Sequence, residues 1–165
     1  MLRVAVAFAL AASTGVPGPA AAPLPANATV LVVDGAVPRP LRLDAGGLAA
    51  LPRAQVTATI HGAFLNCSGA WLADVLAAAG APSGEAVRGP VLATAIVAQA
   101  ADGYRVVFSL GEVERSLGRA RILVADRCNG APLADDGPLR LIVAGDLRGA
   151  RSVKALTRLS VVAVP

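Results

Sequence analysis

Charge and aromatic rings are scarce in this 165-residue chain: 16% of residues are charged and 3% are aromatic. It has one histidine, His61, one lysine, Lys154, and two cysteines, Cys67 and Cys128. These shortages exclude several classes of chemistry. One histidine and two cysteines outside any CxxC spacing do not make a zinc site. A single histidine supports no convincing Ser-His-Asp set. There is no run of Lys and Arg and no basic–aromatic interleaving, and the net charge of +4 is mild, which argues against nucleic acid as a partner. No segment after the N-terminus approaches the ~20 apolar residues needed to cross a bilayer.

The N-terminus reads as a leader. Arg3 supplies a positive start, Val4 to Ala12 form a short apolar stretch, and small residues with prolines follow to Ala22. That is the pattern of a secretory signal peptide. A cut after Ala20 puts Gly18 at the −3 position, whereas a cut after Ala22 would put Pro23 beside it. The alternative, an apolar N-terminal strand, fits the lone early charge less well. The expected organisation is a leader over 1–22 and one domain over 23–165, in a periplasmic or secreted protein. Without Arg3 the mature chain carries 14 basic and 11 acidic side chains, a net +3. About 140 residues suffice for one core that buries roughly two-thirds of the unfolded surface. In an oxidising compartment Cys67 and Cys128 either pair or stay as two buried thiols, and spacing does not choose between them.

Periodicity and turn residues predict about eight strands and two or three short helices. Thr29 to Val33 is an apolar strand ending at Asp34-Gly35, and Leu41 to Leu43 extends it. Asp44 caps a helix through Leu51, stopped by Pro52. Gln55 to Ile60 alternates apolar and polar residues and ends at His61-Gly62. Gly69 is expected to open a helix whose Leu72, Val75, Leu76 and Ala79 share a face and whose stop is Gly80. Val91 to Ala98 and Tyr104 to Phe108 flank a turn at Asp102-Gly103, the strongest hairpin signal. Ser109 and Glu112 have the spacing of a capping box. Arg121 to Ala125, Gly137 to Val143 and Leu159 to Val164 are further strands, with a turn at Asn129-Gly130. Strands and helices do not alternate regularly, so the expected class is α+β with a mixed, mainly antiparallel sheet.

The C-terminal tract carries the densest polar signal. Arg140, Arg148, Arg151, Ser152 and Lys154 sit in or beside one loop between two apolar strands. Guanidinium forks, a hydroxyl and an ammonium suit a phosphate or other small anion. A solvated basic loop explains the same residues, and for Arg148 alone it explains them better. His61, at the end of a strand, is a candidate for the same anion or for proton transfer near neutral pH. As a lone histidine it reads more simply as a structural hydrogen-bonder.

Taken in order, several short motifs resemble the sulfite-oxidase-type molybdopterin-binding domain family. They are Val33-Asp34-Gly35 with Pro40 to Leu43; Gly69-Ala70-Trp71-Leu72 to Leu76 with Ala79-Gly80; and Asp102-Gly103-Tyr104 through Ser109. Asn129 to Leu133, Gly137 to Val143 and Arg151-Ser152-Val153-Lys154 complete the series. The resemblance spans Val30 to Val164. It implies a mixed α/β domain that holds the pterin of a molybdenum cofactor and moves an oxygen atom or electrons at the metal. It also implies that Arg140, Arg151, Ser152 and Lys154 anchor the cofactor's phosphate end; His61 is a further cofactor-binding candidate. In that family the metal is held by two pterin sulfurs and one cysteine thiolate, about ten residues before the glycine that corresponds to Gly69. Here that region is Thr57 to Ile60, which has no cysteine, and Cys67 lies only two residues before Gly69.

Two functions from different classes follow. One is an exported molybdopterin-domain protein with oxidoreductase-like chemistry and a redox partner protein. The other is a non-catalytic module that kept the fold, lost the metal ligand and binds a small anion or a protein. A structural accessory to a membrane redox complex is a weaker third.

Overall fold

A computed structural model describes residues 30–118, 120–134 and 136–165, so the expected leader over 1–22 lies outside the described residues. In chain order the elements are β1 (Leu31–Gly35), β2 (Leu41–Leu43), α1 (Ala45–Ala49), β3 (Arg53–Ile60), β4 (Ala63–Trp71) and α2 (Leu72–Ala78). Two 3-10 turns then lead to β5 (Thr94–Ala100), β6 (Arg105–Ser109), α3 (Leu110–Val113), β7 (Arg121–Cys128) and β8 (Ala131–Pro132). The chain ends with β9 (Arg140–Ala144), a 3-10 turn at Gly149–Arg151 and β10 (Leu156–Ala163).

The strands form two sheets. The first runs β2-β1-β10-β5-β6, and within it only β1 and β10 are parallel. The second runs β3-β4-β7-β8, with β9 also paired to β7, and is antiparallel throughout. The class is therefore α+β with mixed, mainly antiparallel sheets, as expected. The main core fills the space between the sheets with Leu31, Val33, Leu72, Leu76, Ile96, Phe108, Leu141 and Leu159 among its members. A smaller core lies on the other face of the second sheet and joins Val56, Ile60, Cys67, Leu123, Ala125 and Ile142. Burying each large aliphatic side chain in these cores contributes about 1.5–3 kcal/mol before entropy is counted.

Local signals explain most element ends. Asp44 accepts a hydrogen bond from the Gly47 amide at 2.7 Å and caps α1, which stops at Ala49, short of the expected Leu51. Its two central glycines are poor helix formers. Ser109 and Glu112 form the reciprocal capping box expected for α3. Gly80, with φ +79°, ends α2.

The chief correction concerns residues 63–71. They form β4, a strand the apolar pattern does not announce, and Gly69 lies inside it rather than opening a helix. A Cβ at Gly69 would run into the Val124 carbonyl, so the glycine permits a close backbone approach beside a register shift at Ser68/Gly69. The helix starts three residues later, at Leu72. With β4 and the two-residue β8 included, the described residues contain ten strands, not eight. His61-Gly62 is then the turn of a β3–β4 hairpin, and both residues have the positive φ (+50° and +80°) that a two-residue I′ turn requires. Asn129-Gly130 repeats the device between β7 and β8, at +52° and +79°.

Candidate binding cleft

The loop after β9 lies against the tip of the β3–β4 hairpin. Gly149 makes this possible, since a Cβ there would sit 2.5 Å from Cγ2 of Ile60 and 3.2 Å from Nε2 of His61. The Tyr104 hydroxyl donates to the Ala150 carbonyl at 2.7 Å and holds the loop from the other side. Two hollows flank this junction and share His61, Gly149 and Ala150. The larger, about 780 Å³, is lined by Thr57, Ala58, Thr59 and Phe64 on the hairpin side and by residues 145–150 opposite. The smaller, about 260 Å³, gathers His61, Asp102, Tyr104, Ser152 and Lys154.

The expected anion anchors are largely engaged already. Arg151 makes two bonds to Asp146, at 2.9 and 2.7 Å, and a third to Glu112 at 2.8 Å. Its guanidinium carbon lies 5.1 Å from the centroid of the Phe108 ring. Bonding to Asp146, then to Glu112, raises its pKa further above the ordinary guanidinium value, so it stays charged and tied. Arg140 is buried, pairs with Asp136, and keeps an Nε with no partner among the described residues. Lys154 is exposed and reaches the other Asp136 oxygen at 2.7 Å. Ser152 is buried, and its hydroxyl oxygen accepts the Val143 amide at 3.1 Å.

Of the six residues singled out from the sequence, His61, Ser152 and Lys154 meet in the smaller hollow, while Arg140 and Arg151 line neither. Arg148, which a solvated loop explains adequately from sequence, is exposed in the larger hollow with no ion-pair partner among the described residues. Thr57, Thr59, Phe64 and Leu147 also line that hollow and were not singled out. Phe64 is 69% exposed and Leu147 is wholly exposed. Large apolar side chains left in water at a concave site were the available signal, but only the β3–β4 hairpin brings them to one place.

The two cysteines form a disulfide. They face each other across β4 and β7 with Cα atoms 4.0 Å apart. Register, which spacing alone does not supply, decides the open question in favour of pairing. Cys67 is fully buried in the smaller core, and neither cysteine lines either hollow.

The family model for the oxidoreductase molybdopterin-binding domain matches residues 19–165. The chain belongs to that family. Among solved structures it is similar to the sulfane dehydrogenase SoxCD from Paracoccus pantotrophus, with a TM-score of 0.65 and 22% identity. The match covers 87% of this chain and 40% of that one, so it shows a shared fold over less than half of the larger protein. No curated protein matches.

Membership sets a test for the cofactor. A molybdenum centre of the kind the resemblance implies needs a thiolate beside the pterin, and a thiolate is the ligating form of cysteine. Both cysteine sulfurs of this chain are covalently joined away from the cleft, while Thr57 and Thr59 stand in the region where the ligand is expected. A threonine hydroxyl does not replace a soft anionic sulfur. The cations expected to anchor the cofactor's phosphate are paired with carboxylates. The residues present do not fit a cysteine-ligated molybdenum centre.

Proposed function

We propose that this molybdopterin-domain protein is an exported, non-catalytic binding module. The observation that carries the reading is the Cys67–Cys128 bridge: the chain's two cysteine sulfurs hold β4 to β7, and among the described residues no cysteine lines the cleft. A disulfide also suits an oxidising compartment, in keeping with the leader-like N-terminus. No helix among the described residues is long and apolar enough to cross a membrane. What the cleft offers is shape, backbone, two threonine hydroxyls, His61 and the Arg148 guanidinium, which is equipment for holding a ligand.

The test is metal analysis of protein recovered from the periplasm of molybdenum-replete cells, alongside a count of free thiols. The reading expects no molybdenum, no pterin fluorescence and no free thiol. Molybdenum near one atom per chain would overturn it. A second reading keeps the pterin without the thiolate, and the gathering of His61, Ser152 and Lys154 beside Tyr104 favours it. Pterin fluorescence without molybdenum would select that one.

A further inference from the structure

We infer that the free edge of β3 and the cleft along it take an extended, acidic peptide segment of a partner protein as an added strand. This rests on the binding-module reading and names the partner's chemistry. Five strands end the two sheets; one of them, the five-residue β9, gives its Leu141 and Val143 amides to the Val153 carbonyl and the Ser152 hydroxyl. β2 and β8 are three and two residues long, and β6 has five with Arg105 at its start. β3 has eight residues, with its one charge, Arg53, at the far end and tied to Asp126 by two bonds of 2.7 Å. Among the described residues it pairs only with β4, so the backbone N–H and C=O groups on its other side have no strand partner there. Natural sheets shorten, charge or cover such edges, and an uncovered one is a template for another strand.

The cleft runs along this edge. Neighbouring side chains on a strand point to opposite faces, yet Thr57, Ala58 and Thr59 in succession all line the hollow. A hollow that touches all three follows the edge and not one face. Its opposite wall is the loop fixed by Gly149 against Ile60, so the groove is formed before any ligand arrives. Its volume, about 780 Å³, lies in the range of ligand-binding clefts. Phe64 on one wall and Leu147 on the other offer apolar contact for alternate side chains.

Charge selects the occupant. Both Asp146 oxygens are held by Arg151, which leaves the exposed Arg148 guanidinium as the charge at the cleft with no ion-pair partner among the described residues. Acidic side chains in the incoming strand would complement it. A second copy of this chain would bring a second Arg148 to the same groove and leave it unpaired.

The experiment screens a phage-displayed library of random decapeptides against the disulfide-intact mature protein. An enriched peptide is then synthesised and its affinity measured by fluorescence anisotropy. Enriched sequences should alternate apolar and acidic residues. N-methylation of alternate backbone amides in the peptide should weaken binding about tenfold for one set and little for the other, because only one set faces β3. Arg148→Glu, an exposed change, should weaken it by a similar factor. No enrichment over an unrelated protein would overturn the inference. So would binding indifferent to both N-methylation and Arg148→Glu, or a dimer in solution that occupies the β3 edge. Peptide binding by a chain that carries molybdenum would sink the non-catalytic reading and leave the docking site. A molybdenum-free chain that selects no peptide would do the reverse.

Discussion

The cations Arg140, Arg151 and Lys154 differ from the cleft beside them in one respect: each of the three has a carboxylate partner, and the cleft has charge left over. Arg140 and Lys154 share Asp136, and Arg151 holds Asp146 and Glu112. A few residues away, Arg148 is unpaired among the described residues, and Leu147 is wholly exposed. A basic loop read from sequence looks like an anion site because the carboxylates that neutralise it are not in view. Structure separates cations that build the fold from cations free to meet a ligand.

The sharpest way to break this comparison is Asp136→Ala. It removes the carboxylate from Arg140, whose side chain is 6% exposed. A buried guanidinium left without its partner costs about 3–5 kcal/mol. Lys154 loses the same partner but is exposed, so its share of the loss is small. Urea unfolding should show the midpoint falling sharply. A loss below about 1 kcal/mol would mean that the segment is as free as the cleft.

Replacing both cysteines by alanine tests the structural role of the sulfurs. The bridge joins positions 61 apart in sequence and ties β4 to β7. Its removal should cost about 2–4 kcal/mol, read as the stability difference between the wild type and the double variant. Dithiothreitol should destabilise the wild type and leave the variant unchanged. Ligand binding in the cleft should survive at temperatures where the variant stays folded, because neither sulfur lines it.

Much of the fold was legible where local chemistry decides the outcome. The Asp44 cap, the Ser109–Glu112 box and the Asn129-Gly130 turn each depend on a few adjacent residues, and each formed as expected. β4 was not legible. Its stretch from Phe64 to Gly69 has no clean alternation and exists as a strand because β3 and β7 pair with it on both sides. Gly69 was misread for the same reason: the need for a bare Cα comes from the Val124 carbonyl, which is far away in sequence. The candidate site divides in the same way. The basic loop was visible as composition, but its engagement by Asp136, Asp146 and Glu112 is tertiary. The cleft's Thr57, Thr59, Phe64 and Leu147 gain meaning only once the hairpin folds.

Gly149→Ala sharpens the comparison at the junction of the two regions. The added methyl, at the start of the 3-10 turn, meets Cγ2 of buried Ile60 at 2.5 Å. Overpacking of this kind costs about 1–3 kcal/mol. It should also push the loop away from His61 and open the groove, so peptide affinity should fall by more than the stability loss alone implies. A normal thermal midpoint with full binding would show that the groove is not set by this contact.

The smallest effect on stability is expected from Phe64→Ser combined with Leu147→Ser, and it is the most telling for function. Both side chains are exposed in the cleft and belong to neither core. Surface changes away from caps, cavities and networks usually stay within about 0.5 kcal/mol, so the thermal midpoint should hardly move. If the two residues exist for packing, binding should be equally untouched. If they are the apolar contacts of a docking groove, peptide affinity should drop severalfold in a protein that unfolds like the wild type. Asp136→Ala gives the converse pattern, a large loss of stability with the groove's own contacts in place, and the pair of variants separates residues that hold the fold from residues that use it.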